Sequence, residues 1–199
     1  MPYLIFLAIF LLASITTSSG QVCSAVNSNF PNGARVSNVG MVKFFIDPTS
    51  PPDIPFYIRK RIFTKAFNEW ERVTCINFAI TSVKSRADIV LQFSPVAGNN
   101  RVATATAPPT QVTLTFDSGE IWSETPTQNS LDLESVALHL IGHAIGLRHR
   151  GNNNPKNQET IMNKRLVDRF GATVDEGIKK TSLKDRDIIL AVAKYGGPC

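Results

Sequence analysis

All three histidines of this 199-residue chain fall inside eleven residues, HLIGHAIGLRH, as His139, His143 and His149. His139 and His143 are four residues apart, so on a helix their rings project from one face, one turn apart. Two nitrogens placed that way can grip a single metal ion. Gly146 lets the backbone leave the helix in a conformation other residues resist, turning the chain so that His149 supplies a third nitrogen. Three protein nitrogens leave the fourth tetrahedral position of zinc to water, the pattern of a catalytic rather than a structural site. The expected cofactor is therefore one Zn ion on His139, His143 and His149. A lone histidine is more often a core or surface residue, but here every histidine of the chain obeys the ligand spacing.

The elements that must position this trio can be read from periodicity. Leu133 to Leu147 reads as the helix carrying the first two ligands, with Gly146 near its end. Before it, Val42 to Ile46 reads as a strand. Ile58, Ile62, Phe63, Ala66, Phe67, Trp70 and Val73 mark an amphipathic helix at 3- and 4-residue spacing. Ile76 to Val83 and Ala87 to Phe93 read as two strands, followed by a loop rich in Gly, Asn and Pro and the alternating strand Val112 to Phe116. A last helix is expected from Ser182, where Ser182 and Asp185 have capping-box-like spacing, to Tyr195, with Gly196-Gly-Pro198 stopping it. This order predicts one α+β or three-layer domain.

H-x-x-x-H-x-x-G-x-x-H resembles the metzincin zinc proteases, and Met162 would furnish the Met-turn beneath their metal. The surrounding words are similar to matrixins, the matrix metalloproteinase family: Ala66-Phe67-Asn68-Glu69-Trp70, Ala87-Asp88-Ile89, Phe116-Asp117-Ser118 and Trp122, in the same order. Asp132-Leu-Glu-Ser-Val-Ala137 looks especially like plant members. The resemblance runs from about Val42 to Tyr195, so residues 42–199 are read as a matrixin-like domain. It implies a twisted, mostly parallel five-stranded sheet with three helices, cut by a cleft for extracellular protein or peptide segments.

One departure bears directly on chemistry. Where the family has glutamate after the first histidine, the general base for zinc-bound water, this chain has Leu140. A positioned base is worth roughly 10²–10⁴ in rate, and leucine can neither accept a proton nor hydrogen-bond the water, so no catalytic residue is assigned here. Glu134 points about 140–180° away from both helical ligands at about 100° per residue, and Glu159 lies in the loop before Met162. The family's cysteine-bearing prodomain is not expected, and the loop after Phe93 lacks the stretch that holds structural zinc and calcium, so those sites are not expected either. His149 and Met162 stand thirteen residues apart, longer than in typical matrixins, and Asn163-Lys164 replace a pair that shapes the specificity pocket. Arg148 and Arg150 flank the third ligand and favour anionic occupants of the open site.

The rest of the chain suggests an extracellular setting. Residues 1–20 read as a signal peptide, with a retained anchor as the alternative, and residues 21–41 as an irregular segment. No second apolar run has membrane length, so no span is expected in a mature, secreted chain. Cys23, Cys75 and Cys199 allow one disulfide, and the closeness of chain ends in domains favours Cys23 with Cys199 slightly. The net charge is +5, with ten Lys/Arg against six Asp/Glu from Arg150 onward. That surplus fits a solvated basic exterior or an acidic polysaccharide partner; nothing resembles a nucleic-acid motif. Three functions remain: a matrixin fold with weakened or lost proteolysis that binds peptide segments, an active endopeptidase, or a metal-free structural module.

Overall fold

A computed structural model describes residues 41–49, 54–97, 102–106, 111–125, 130–149, 160–163 and 181–198. The signal peptide, almost all of the 21–41 segment, Cys23, Cys199, Arg150, Glu159 and Lys164 lie outside the described residues.

The chain first lays down β1 (Met41–Ile46), in which Val42, Phe44 and Ile46 face the core and alternate with more exposed residues. Helix α1 (Phe56–Glu71) follows, burying Ile62, Phe63, Ala66, Phe67 and Trp70 as its apolar stripe demands. It crosses over to β2 (Asn77–Ile80), parallel to β1. A single 3-10 turn at Lys84–Arg86 leads to β3 (Ile89–Ser94), whose Ile89, Val90 and Leu91 are all buried, as befits a strand covered on both faces. Next come β4 (Ala103–Thr106) and β5 (Val112–Asp117). The sheet order is β2-β1-β3-β5-β4, parallel throughout except for the β4–β5 pair at one edge. The small parallel pair β6 (Trp122–Ser123) and β7 (Leu131–Asp132) then runs directly into α2 (Leu133–Ala144). The last element is α3 (Asp185–Tyr195). A five-stranded, mostly parallel sheet with three α-helices among the described residues is what the matrixin resemblance implies.

Several expected boundaries shift. β2 stops at Ile80, ahead of the 3-10 turn, rather than running to Val83. β4 occupies part of the stretch read as loop. Helix α2 ends at Ala144, three residues early, because Gly146 adopts φ 79° and the Leu147 N–H reaches back to the Gly142 carbonyl at 2.9 Å. Helix α3 starts at Asp185, and its first turn is closed by Asp187, whose carboxylate accepts from the Lys184 N–H at 3.1 Å; Ser182 and Asp185 do not form the box. Cys75 is disulfide-bonded, with its partner outside the described residues. The expected Cys23–Cys199 pairing lies outside the described residues.

Helix α2 is buried on nearly every side, packed against both the sheet and α1. Trp70 of α1 donates its indole N–H to the Leu138 carbonyl at 2.9 Å. Gly142 makes room one turn further along the same face: a Cβ there would lie 2.3 Å from the Met162 Sδ and 3.0 Å from a Trp70 ring carbon. The helix that bears the ligands is thus held in a slot with no room for a side chain at Gly142.

Candidate metal centre

The site begins at the start of α2. Asp132 caps the helix, accepting from the Ser135 N–H at 3.2 Å and from the Ser135 hydroxyl, which fixes where the helix starts and how it is rotated. That rotation sends His139 and His143 to one face. Beyond Ala144 the chain turns at Gly146 and brings His149 back toward them. The three Nε2 atoms form a near-equilateral triangle, with His139–His143 and His139–His149 at 3.1 Å and His143–His149 at 3.0 Å. Burial is graded across the trio: His139 is fully buried, His143 half-buried and His149 exposed.

Ring orientation is set from behind. His139 Nδ1 lies 2.6 Å from the Ile161 carbonyl and His143 Nδ1 2.8 Å from the Leu147 carbonyl. A carbonyl only accepts, so each Nδ1 carries the proton and each Nε2 presents a lone pair. Burial holds His139 well below its usual pKa of 6.5, with the charge of His143 adding to the effect and the Ile161 carbonyl opposing it. Burial likewise lowers His143, against the Leu147 carbonyl. Both rings are therefore kept neutral. Two lone pairs facing each other at 3.1 Å repel unless a cation lies between them, so this donor set fits a nitrogen-preferring divalent metal such as zinc. A zinc ion there would act as a Lewis acid and bring the pKa of a bound water to about 7.

The Ile161 carbonyl is itself anchored. The turn at Thr160–Asn163 is tied to α3 by Asp187, whose carboxylate accepts from the Ile161 N–H at 2.9 Å and the Met162 N–H at 3.2 Å. Met162, expected to form the Met-turn, is fully buried in this turn, with its sulfur against α2 at Gly142. Asp187 and Met162 are both wholly inaccessible to solvent.

Leu140 sits between the two helical ligands and is 1% exposed, part of the hydrophobic core. Glu134, the one carboxylate within α2, is buried and pairs with Lys65 of α1 at 2.8 Å, away from the histidines as its helical angle required. Arg148 is exposed next to His149, and Asn163 is buried in the Met162 turn. Asp187, Lys194 and Tyr195 escaped the reading of the sequence. One signal was available: Asp187, Ala191 and Tyr195 recur at four-residue spacing on the buried stripe of α3, so an aspartate occupies an apolar face.

A family model described as Matrixin matches residues 37–168, more than half of the chain and the whole three-histidine segment. Among curated relatives, metalloendoproteinase 5-MMP of Arabidopsis thaliana is 38% identical over 45% of this chain and 30% of its own length. Metalloendoproteinase 2-MMP of the same plant is 35% identical over 65% of this chain and 35% of its own. Stromelysin-1 of Mus musculus is 34% identical over 49% of this chain and 22% of its own. The chain spans about a third or less of the length of these relatives. Its fold, its three-histidine centre and the extent of the match agree: the chain belongs to the matrixin family.

Proposed function

We propose that this chain is a secreted, zinc-binding matrixin whose hydrolytic step is lost or strongly weakened, and which works by holding extracellular peptide or protein segments. The observation that carries this reading is Leu140, a buried aliphatic side chain between two ligands whose orienting hydrogen bonds are intact. The scaffold for a metal is retained, while a proton acceptor is absent from the position where the family keeps one. Glu134 does not replace it, being bound to Lys65.

Peptide binding is supported by the sheet edge. Among the described residues β4 pairs on one side only, with β5, and α2 packs against it. An extended segment adding to β4 would gain main-chain hydrogen bonds while passing the helix that carries His139 and His143. His149 is exposed, so the trio is open to solvent at that ligand. The basic surplus beyond Arg150 favours acidic segments or acidic polysaccharide as partners.

The test compares zinc-loaded wild-type protein with Leu140→Glu on a broad peptide library, each with and without chelator. The expected result is wild-type cleavage near background and a chelator-sensitive gain in the variant. Equal chelator-sensitive cleavage by both would instead establish a working endopeptidase with a different proton acceptor. Metal content of the purified chain checks the zinc directly; a metal-free preparation that cannot be loaded would leave a structural module.

A further inference from the structure

Behind the trio, three consecutive carbonyls each receive a different side-chain donor. Ile145 O accepts from the Tyr195 hydroxyl, Gly146 O from the Lys194 ammonium at 2.9 Å, and Leu147 O from His143 Nδ1 at 2.8 Å. Two of these donors come from the last turn of α3. The turn they hold joins His143 to His149, and its central residue, Gly146, has the backbone freedom of a glycine at φ 79°.

We propose that Lys194 is a positioning residue for the metal centre: bonded to the Gly146 carbonyl, its ammonium fixes the turn that aims His143 and delivers His149. The inference rests on metal binding by the three histidines as proposed above. The Gly146 carbonyl belongs to the same peptide unit as the Leu147 N–H, which donates to the Gly142 carbonyl at 2.9 Å. Lys194 and Gly142 therefore grip that peptide plane from its two ends. The next plane carries the Leu147 carbonyl, which sets the tautomer and rotation of His143. Without Lys194 the first plane keeps one grip, and the error passes to His143 on one side and to the His149 backbone on the other. A protonated amine at the C-terminal end of α2 also complements the partial negative charge of the last carbonyls.

The sign of the effect separates positioning from simple electrostatics. An ammonium near a divalent cation weakens the cation's binding by repulsion, so charge alone predicts that Lys194→Met tightens metal affinity. Positioning predicts the reverse. Co(II) titration of the metal-free full chain, read by its visible absorption and followed by zinc competition, is done on wild type, Lys194→Met and Lys194→Arg. The expected result is a loss of about three- to tenfold in affinity for Lys194→Met with an altered Co(II) spectrum, and recovery to within about twofold for Lys194→Arg. In the metal-free proteins, amide exchange at Leu147 should be about tenfold faster in Lys194→Met. Unchanged or tighter Co(II) binding in Lys194→Met overturns the inference while leaving the metal site standing, even if Leu147 exchange speeds up. Absence of Co(II) and zinc binding by the wild type overturns the metal-site reading as well.

Discussion

Asp187 and His139 share no hydrogen bond, yet one residue joins them: Ile161 donates its N–H to the Asp187 carboxylate and accepts from His139 Nδ1 through its carbonyl. An acid on the last helix thereby orients the most buried metal ligand. The carboxylate takes three backbone N–H groups, from Ile161, Met162 and Lys184. Asp187→Asn replaces one accepting oxygen by a donor and sets N–H against N–H in a dry site. The expected cost is about 2–4 kcal/mol of stability, with metal affinity down about tenfold. Urea unfolding of the metal-free protein and zinc competition measure the two separately, and loss of stability with unaltered affinity would refute the link to His139.

Gly142 predicts a steric coupling. Alanine there meets the Met162 sulfur at 2.3 Å and Trp70 at 3.0 Å, and both side chains are fully buried. Gly142→Ala should destabilise the fold by about 1–3 kcal/mol. Trimming the obstacle relieves it, so Gly142→Ala combined with Met162→Ala should cost less than the two single changes added together. A thermodynamic double-mutant cycle gives the coupling, and strict additivity would mean that the two residues do not contend for the same space.

The neutral state of His139 sets a pH window. Its folded pKa lies well below the ordinary 6.5, so between those two values the unfolded chain binds more protons than the folded one. Stability of the metal-free protein should hold above about pH 6.5 and fall as pH drops below it, until the folded pKa is passed. His139→Gln should flatten this part of the curve. Urea midpoints from pH 7.5 to 5 check both, and an identical acid slope in the variant would assign the loss to other groups.

Restoring the family's glutamate should carry a penalty in stability. Position 140 is 1% exposed and surrounded by core side chains. A polar group buried there without partners costs about 1–3 kcal/mol on the scale of protein mutations, and a charge costs more. Leu140→Glu should therefore melt lower than wild type when metal-free and recover part of the difference on zinc loading. Leu140→Gln should share the loss but show no gain in cleavage, which separates proton chemistry from mere polarity in a peptidase assay with calorimetry alongside.

What could be read from the sequence was local. Histidine spacing gave the trio, and the stripe from Ile62 to Trp70 gave α1, because both follow from the 3.6-residue period of one helix. β4 was missed for a related reason. Its Ala-Thr-Ala-Thr run has the alternation of a strand but little hydrophobic contrast, and its placement depends on an antiparallel partner, Thr113 to Phe116, further along the chain. Asp187 and Lys194 were hidden more deeply. Each acts through a backbone group distant in sequence, 25 to 48 residues away, and even the apolar stripe that marks Asp187 as buried does not name its partner. The disulfide of Cys75 belongs to the same class, decided by which segments the fold brings near and not by spacing along the chain.

The position of α3 well after the histidines also sets a timetable for biosynthesis. A ribosome finishes all three histidines at residue 149, but the aspartate, lysine and tyrosine that steady them emerge only at residues 187, 194 and 195. While the several dozen residues between them are added, the ligands exist without their brace. A nascent chain, or a product cut short before α3, carries the complete metal-binding motif and yet lacks the partners that shape it.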